Sequence, residues 1–119
     1  MKRVVGIGGV FFKARDPERL RAWYREHLGF EITEWGGVGF GGQGTTVWTV
    51  FPADTRYFDP STAPFMINYR VENLDWVLAA LRSEGCEVDE KVESPEYGKF
   101  GWVMDPEGNR LELWEPPAQ

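Results

Sequence analysis

This chain of 119 residues carries one phrase twice. Asp16 stands before PERLRAWYREHL and Asn73 before LDWVLAALRS, 57 positions apart. The glycines that stop the two runs, Gly29 and Gly85, are 56 apart. After the stops, Gly29-Phe30-Glu31-Ile32 is matched by Gly85-Cys86-Glu87-Val88. Before each run lies a strand-like segment, GGVFFKA (8–14) and FMINYRV (65–71). The chain therefore reads as one unit of about 56 residues used twice, which limits the fold to a pairing of two like modules.

Local signals define the unit. Asp16 is an N-cap, and Pro17 occupies the first helical position, where its missing N–H costs nothing. Leu20, Trp23, Tyr24 and Leu28 form an apolar stripe, and Gly29 supplies the left-handed stop. In the second helix Asn73 is the cap, Leu74, Val77, Leu78 and Leu81 repeat with helical spacing, and Gly85 ends it. Each helix is followed by three strand-like runs, at 30–35, 36–42 and 45–51 and again at 86–93, 98–104 and 109–114. Gly36-Gly37, Gly41-Gly42 and Asp105-Pro106-Glu107-Gly108 mark turns between them. The reading is one α+β domain over 1–119: module one at 1–51, a polar, Pro-bearing linker at 52–64, and module two at 65–119. Eight mostly antiparallel strands and two main helices are predicted.

Composition excludes several classes. Lys plus Arg number 13 against 19 Asp plus Glu, a net charge of −6, which argues against a nucleic-acid partner. No run is long and apolar enough for a membrane helix, and MKRVVGIGGVFF reads as a strand and not a leader. A lone cysteine, Cys86, allows no internal disulfide and suits a reducing, cytoplasmic compartment. It is expected to be small, buried and unreactive at the start of a strand. The Gly-rich GIGG and GGVGFGGQG do not sit in a phosphate-binding strand–helix turn. With His27 the single histidine, no Ser-His-Asp set can be built.

The order of FKARDPERLRAWYREHLGFE, INYRVENLDWVLAALRSEGCEV and DPEGNRLELWEP resembles the vicinal-oxygen-chelate superfamily, which includes glyoxalases, extradiol dioxygenases and bleomycin-resistance proteins. The resemblance covers essentially the whole chain. It implies two paired βαβββ modules around a concave cup, commonly a homodimer. It also implies a divalent metal held inside the cup by His, Glu or Gln from the first and last strands of each module.

Those ligand positions fall on Gly9, on Trp48 or Thr49, on Met66 and on Glu112. Only Glu112 matches the family's ligand type. A thioether is a soft, poor ligand for an oxygen- and nitrogen-preferring metal, and catalytic zinc sites use about three protein ligands. Gln43, Asn68 and His27 are the available substitutes. No cofactor is predicted, and a divalent metal at Glu112 is the alternative.

Strand alternation separates the two faces. Val10, Phe12, Ala14, Ile67, Tyr69, Val71, Leu111 and Leu113 are assigned to the helix side. The cup side takes Phe11, Lys13, Trp48, Met66, Asn68, Arg70, Phe100, Trp102, Glu112 and Trp114. Tyr97 and Lys99, on a hairpin arm, could reach over the mouth. That set is mostly apolar and aromatic with a few orienting polar groups, the composition of a small-molecule pocket. The ligand expected is small and apolar or aromatic.

Glu112 has three open roles. It could be a general acid or base with a pKa raised by burial, or the partner of Lys13 or Arg70 in an ion pair, or a residue without a task. The functional reading is a metal-independent small-molecule-binding protein. Its alternative is a metal-dependent lyase, isomerase or dioxygenase using Glu112.

Overall fold

The computed structural model describes residues 3–28, 30–41 and 45–118. In chain order it contains β1 (Val4–Ala14), α1 (Pro17–Leu28), β2 (Gly37–Phe40), β3 (Thr46–Pro52), β4 (Phe65–Val71), α2 (Leu74–Ser83), β5 (Glu87–Val88), β6 (Lys99–Met104) and β7 (Arg110–Glu115). The strands form one mixed sheet in the order β2-β3-β1-β4-β7-β6-β5. The duplication is visible in its wiring. In each module the first strand runs parallel to the last, β1 beside β3 and β4 beside β7. The modules join through the antiparallel pair β1–β4, where Gly9 lies opposite Asn68.

The helices begin where the sequence places them. Asp16 Oδ1 accepts from the Arg19 N–H, and Asn73 Oδ1 accepts from the Trp76 N–H, so each cap satisfies a donor that the helix cannot. Helix α2 buries Leu74, Val77 and Leu78 against Val71, Val103 and Leu113, with Tyr69, Leu81 and Leu111 packed at the margin. Each such aliphatic side chain contributes about 1.5–3 kcal/mol of burial. Helix α1 is less apolar in its contacts. Leu20 and Tyr24 pack on Trp48, Val38 and Val50, but Trp23 of the predicted stripe is half exposed, its ring against His27. The Leu28 side chain, Gly29 and Gln43 lie outside the described residues.

Three strand expectations are corrected. The sheet has seven described strands and mixed direction, not eight mostly antiparallel ones. Residues 30–35 make no strand: Thr33 N–H bonds Gly37 O and Gly36 N–H bonds Thr33 O, closing a tight turn through Gly36 at φ +90°. That φ is in the region glycine favours. Phe30 and Ile32 instead pack beside Trp48. The run 86–93 gives only Glu87–Val88 plus one bridge from Glu93 to Phe100. Cys86 is exposed, contrary to the buried position expected, because the chain turns there on a Cys86 N–H to Leu81 O bond before the strand begins.

Candidate functional site: a buried carboxylate on the floor of an aromatic cavity

The sheet face opposite the helices floors a cavity of about 1050 Å³. Strand alternation builds its floor. Phe11 of β1, Thr49 and Phe51 of β3, Asn68 of β4, Phe100 of β6, and Glu112 and Trp114 of β7 all line it. Phe100 and Trp114 stack with centroids 6.0 Å apart, and the Trp114 indole N–H donates to Tyr97 O at 3.0 Å. Arg21 and Trp35 close the β2–β3 end, and Glu93, Ser94, Pro95 and Tyr97 form part of the opposite wall.

Glu112 is 1% exposed. Its Oε2 accepts from the Tyr57 hydroxyl at 2.5 Å and from the Trp102 indole N–H at 2.9 Å. Its Oε1 accepts from Asn68 Nδ2 at 2.7 Å. Burial pushes the Glu112 carboxyl above its usual value, and the three donors pull it back only in part. Burial and the neighbouring carboxylate push the Tyr57 phenol up as well, so Tyr57 stays a donor at neutral pH. Glu112 takes part in none of the ion pairs of the described residues.

Five residues assigned to the cup lining do not reach the cavity wall. Trp48 lies on the other face, its ring 4.6 Å from Tyr24 and edge-on to Phe12 and Phe30. In β3 the odd positions Val47, Thr49 and Phe51 turn toward the cavity, so of the pair Trp48 or Thr49 it is Thr49 that lines it. Met66 and Trp102 share the cavity face but are sealed into a cluster with Phe11 and Phe58. Lys13 sits over the Phe58 ring at 5.3 Å. Arg70 donates to the carbonyls of Ile7 and Thr45. Neither Lys13 nor Arg70 makes the ion pair with Glu112 that was open as one of its roles. Phe11, Asn68, Phe100, Glu112 and Trp114 do come together at the cavity. Tyr97 also lines it and is exposed, while Lys99 pairs outside with Asp75 at 3.1 Å.

Arg21, Trp35, Phe51, Tyr57 and Glu93 line the cavity without having been assigned from sequence, and the one of them that touches Glu112, Tyr57, is in the linker. Phe58 is fully buried against Met66 and Trp102, and Tyr57 stacks on Phe51 at 5.2 Å while its hydroxyl reaches Glu112. Two adjacent aromatics inside an otherwise polar segment were the available signal.

The chemistry of the donor set bears on the metal that the fold's relatives imply. Among the described residues no three His, Cys, Asp or Glu side chains cluster closely enough to hold an ion. The positions to which the resemblance assigns the other ligands carry Gly9, Trp48 or Thr49, and Met66. Around Glu112 the neighbours are an indole N–H, a phenol and an amide N–H, all turned to donate where a metal would need lone pairs. At Glu112 the described residues thus gather one carboxylate and three donors, and not the His, Glu and Gln set that the resemblance implies.

A family model described as a glyoxalase-like domain matches residues 9–114. The chain belongs to the glyoxalase-like domain family. Solved structures agree on the fold of this glyoxalase-like chain. Methylmalonyl-CoA epimerase from Mycobacterium tuberculosis is 21% identical over 99% of this chain and 92% of its own, with a TM-score of 0.70. A Streptomyces coelicolor methylmalonyl-CoA epimerase variant in complex with 2-nitronate-propionyl-CoA is 15% identical over 97% of this chain and 99% of its own, with a TM-score of 0.75. A glyoxalase/bleomycin resistance protein/dioxygenase superfamily member from Vibrio splendidus is 14% identical over 89% and 95%, with a TM-score of 0.61. At these identities the likeness concerns the fold. A comparison with curated protein sequences gives no match. No helix of the described residues is long and apolar enough to cross a membrane.

Proposed function

We propose that this glyoxalase-like domain binds a small apolar or aromatic molecule in the cavity over Glu112, and does so without the divalent metal of its relatives. The observation that carries the reading is the engagement of the Glu112 carboxylate by Tyr57, Asn68 and Trp102 beneath an aromatic wall. A cavity with aromatic sides and few polar groups has the composition of a small-molecule site. Phe11, Phe100 and Trp114 would hold the ligand body, while Asn68 and Glu112 orient it.

Two measurements test this. Titration of aromatic compounds against tryptophan fluorescence should find a ligand whose signal is lost in Trp114→Ala. Elemental analysis of protein purified without chelators should find no stoichiometric metal. A full equivalent of zinc, manganese or nickel, released by Glu112→Gln, would favour the competing reading of a metal-dependent lyase, isomerase or dioxygenase.

A homodimer is the assembly we propose, with Val4, Val5 and Ile7 providing exposed apolar surface at the start of β1. A monomeric mass in sedimentation at micromolar concentration would overturn it.

A further inference from the structure

The polar floor of the cavity is unbalanced. Donors around Glu112 are already spent: Tyr57 and Trp102 on Oε2, and Asn68 Nδ2 on Oε1. Because a carboxylate only accepts, the Asn68 amide nitrogen must face it and Oδ1 must point away. That Oδ1 is buried and has no hydrogen-bond partner among the described residues, in a residue 2% exposed. It lies over Gly8, where a Cβ would come within 1.9 Å of it, and Gly8, Asn68, Glu112 and Trp114 all line the cavity. Oε1, with a single donor, keeps accepting capacity beside it. Two acceptors, one of them on an acid with no ion-pair partner among the described residues, therefore meet at the floor.

The surroundings have the same sign. Glu93 lines the wall, and its nearest cation, Lys91, is 3.7 Å away. Arg21 is the cation on the described cavity wall, and its guanidinium is committed to the carbonyls of Gly36 and Val50 and to Glu18. Arg110 stands over the Trp102 ring at 5.0 Å and bonds Asp89. The aromatic faces of Phe11, Phe100 and Trp114 add the negative quadrupole that favours a desolvated cation.

We propose that the cavity selects a ligand bearing a protonated amine or amidine on an aromatic body, with the cation donating to Asn68 Oδ1 and Glu112 Oε1 over Gly8. This rests on the reading of the cavity as a small-molecule site and names the class it takes. The ligand cation would satisfy the orphaned amide oxygen and neutralise the buried acid in one contact.

Three matched probes test it by calorimetry at neutral pH on the full chain: naphthylethylammonium, naphthylethanol and naphthylacetate. The ammonium should bind about tenfold or more tighter than the alcohol, and the acetate more weakly than either. Glu112→Gln should bring the ammonium down to the affinity of the alcohol. Equal binding of the alcohol or the acetate would overturn the cation assignment while leaving the small-molecule site standing. Failure of all three to bind would overturn both. An ammonium preference that survives in a folded Glu112→Gln would overturn the floor assigned here. The wild-type series decides the ligand class whether or not the variant folds.

Discussion

Tyr57 and Glu112 are 55 positions apart in the chain, and the phenol of one donates to the carboxylate of the other at 2.5 Å. The contact ties the inter-module segment to the last strand. Tyr57 is set for it by stacking on Phe51 and by an edge contact with Trp102, centroids 6.0 Å apart. The segment that joins the modules is therefore part of the cavity wall.

Tyr57→Phe removes that donor and leaves the ring. Leaving a buried acceptor without one of its donors costs about 1–3 kcal/mol, so urea denaturation at neutral pH should show a loss of that order. The loss should shrink in acid, where Glu112 carries a proton. A variant as stable as the parent at neutral pH would mean that the contact contributes nothing.

The titration of Glu112 gives a signed pH dependence. Its folded pKa is raised above the ordinary 4.5, with burial as the largest cause. Below about pH 4.5 both native and unfolded chains hold the proton; above it the unfolded chain releases first. Stability from this group is therefore fully present below about pH 4.5 and is lost as pH rises through the folded value. The stability of the parent minus that of Glu112→Gln should fall across that window, by at most about 1.4 kcal/mol per pH unit for one proton. Asp89 and Asp105, held low by hydrogen bonds from Lys91 and Asn109, are common to both proteins and cancel. A flat or rising difference would contradict the assignment.

Trp48 and Trp114 should separate stability from binding. Trp48 is packed among Tyr24, Phe12 and Phe30 beneath α1, so Trp48→Ala should cost about 3–5 kcal/mol in denaturation. Trp114 faces the cavity and stacks on Phe100, so Trp114→Ala should weaken ligand binding well beyond its effect on folding. Chemical denaturation and calorimetry on both variants check the pair. Loss of binding in a Trp48 variant of normal stability would place that ring in the cavity after all.

The residues show how far the sequence could be read. Caps and helical spacing are local, so Asp16, Asn73 and the Leu74–Leu78 face could be placed without any knowledge of the sheet. Alternation in β4 and β7 correctly put Asn68 and Glu112 on one face, because neighbouring strands hold them in register, Asn68 opposite Glu112. In β3 the reading places Trp48 on the cup side, whereas Thr49 lines the cavity, because a slip of one residue exchanges the faces. Tyr57 could not be found by any periodicity, since its place depends on the path of an irregular segment. The strand expected at 30–35 failed because Gly36 makes a tight turn that pulls Phe30 and Ile32 out of the sheet.

Gly8 should prove the least replaceable position on the cavity floor. A Cβ there would lie 1.9 Å from Asn68 Oδ1 and 2.9 Å from Trp114 Cε3, and the neighbours on both sides are held. Asn68 is tied to Glu112 through Nδ2, and the Trp114 ring is fixed by its indole bond to Tyr97 O. Gly8→Ala must therefore shift Asn68 away from the carboxylate or push Trp114 into the cavity. Overpacking of this kind costs about 1–3 kcal/mol. The variant should fold with a lowered midpoint and lose ligand binding, because either adjustment disrupts the floor. Tryptophan fluorescence reads both effects in one experiment: the unfolding midpoint and the quenching by ligand. Binding of undiminished affinity in Gly8→Ala would show that ligands sit away from the Asn68–Glu112 pair.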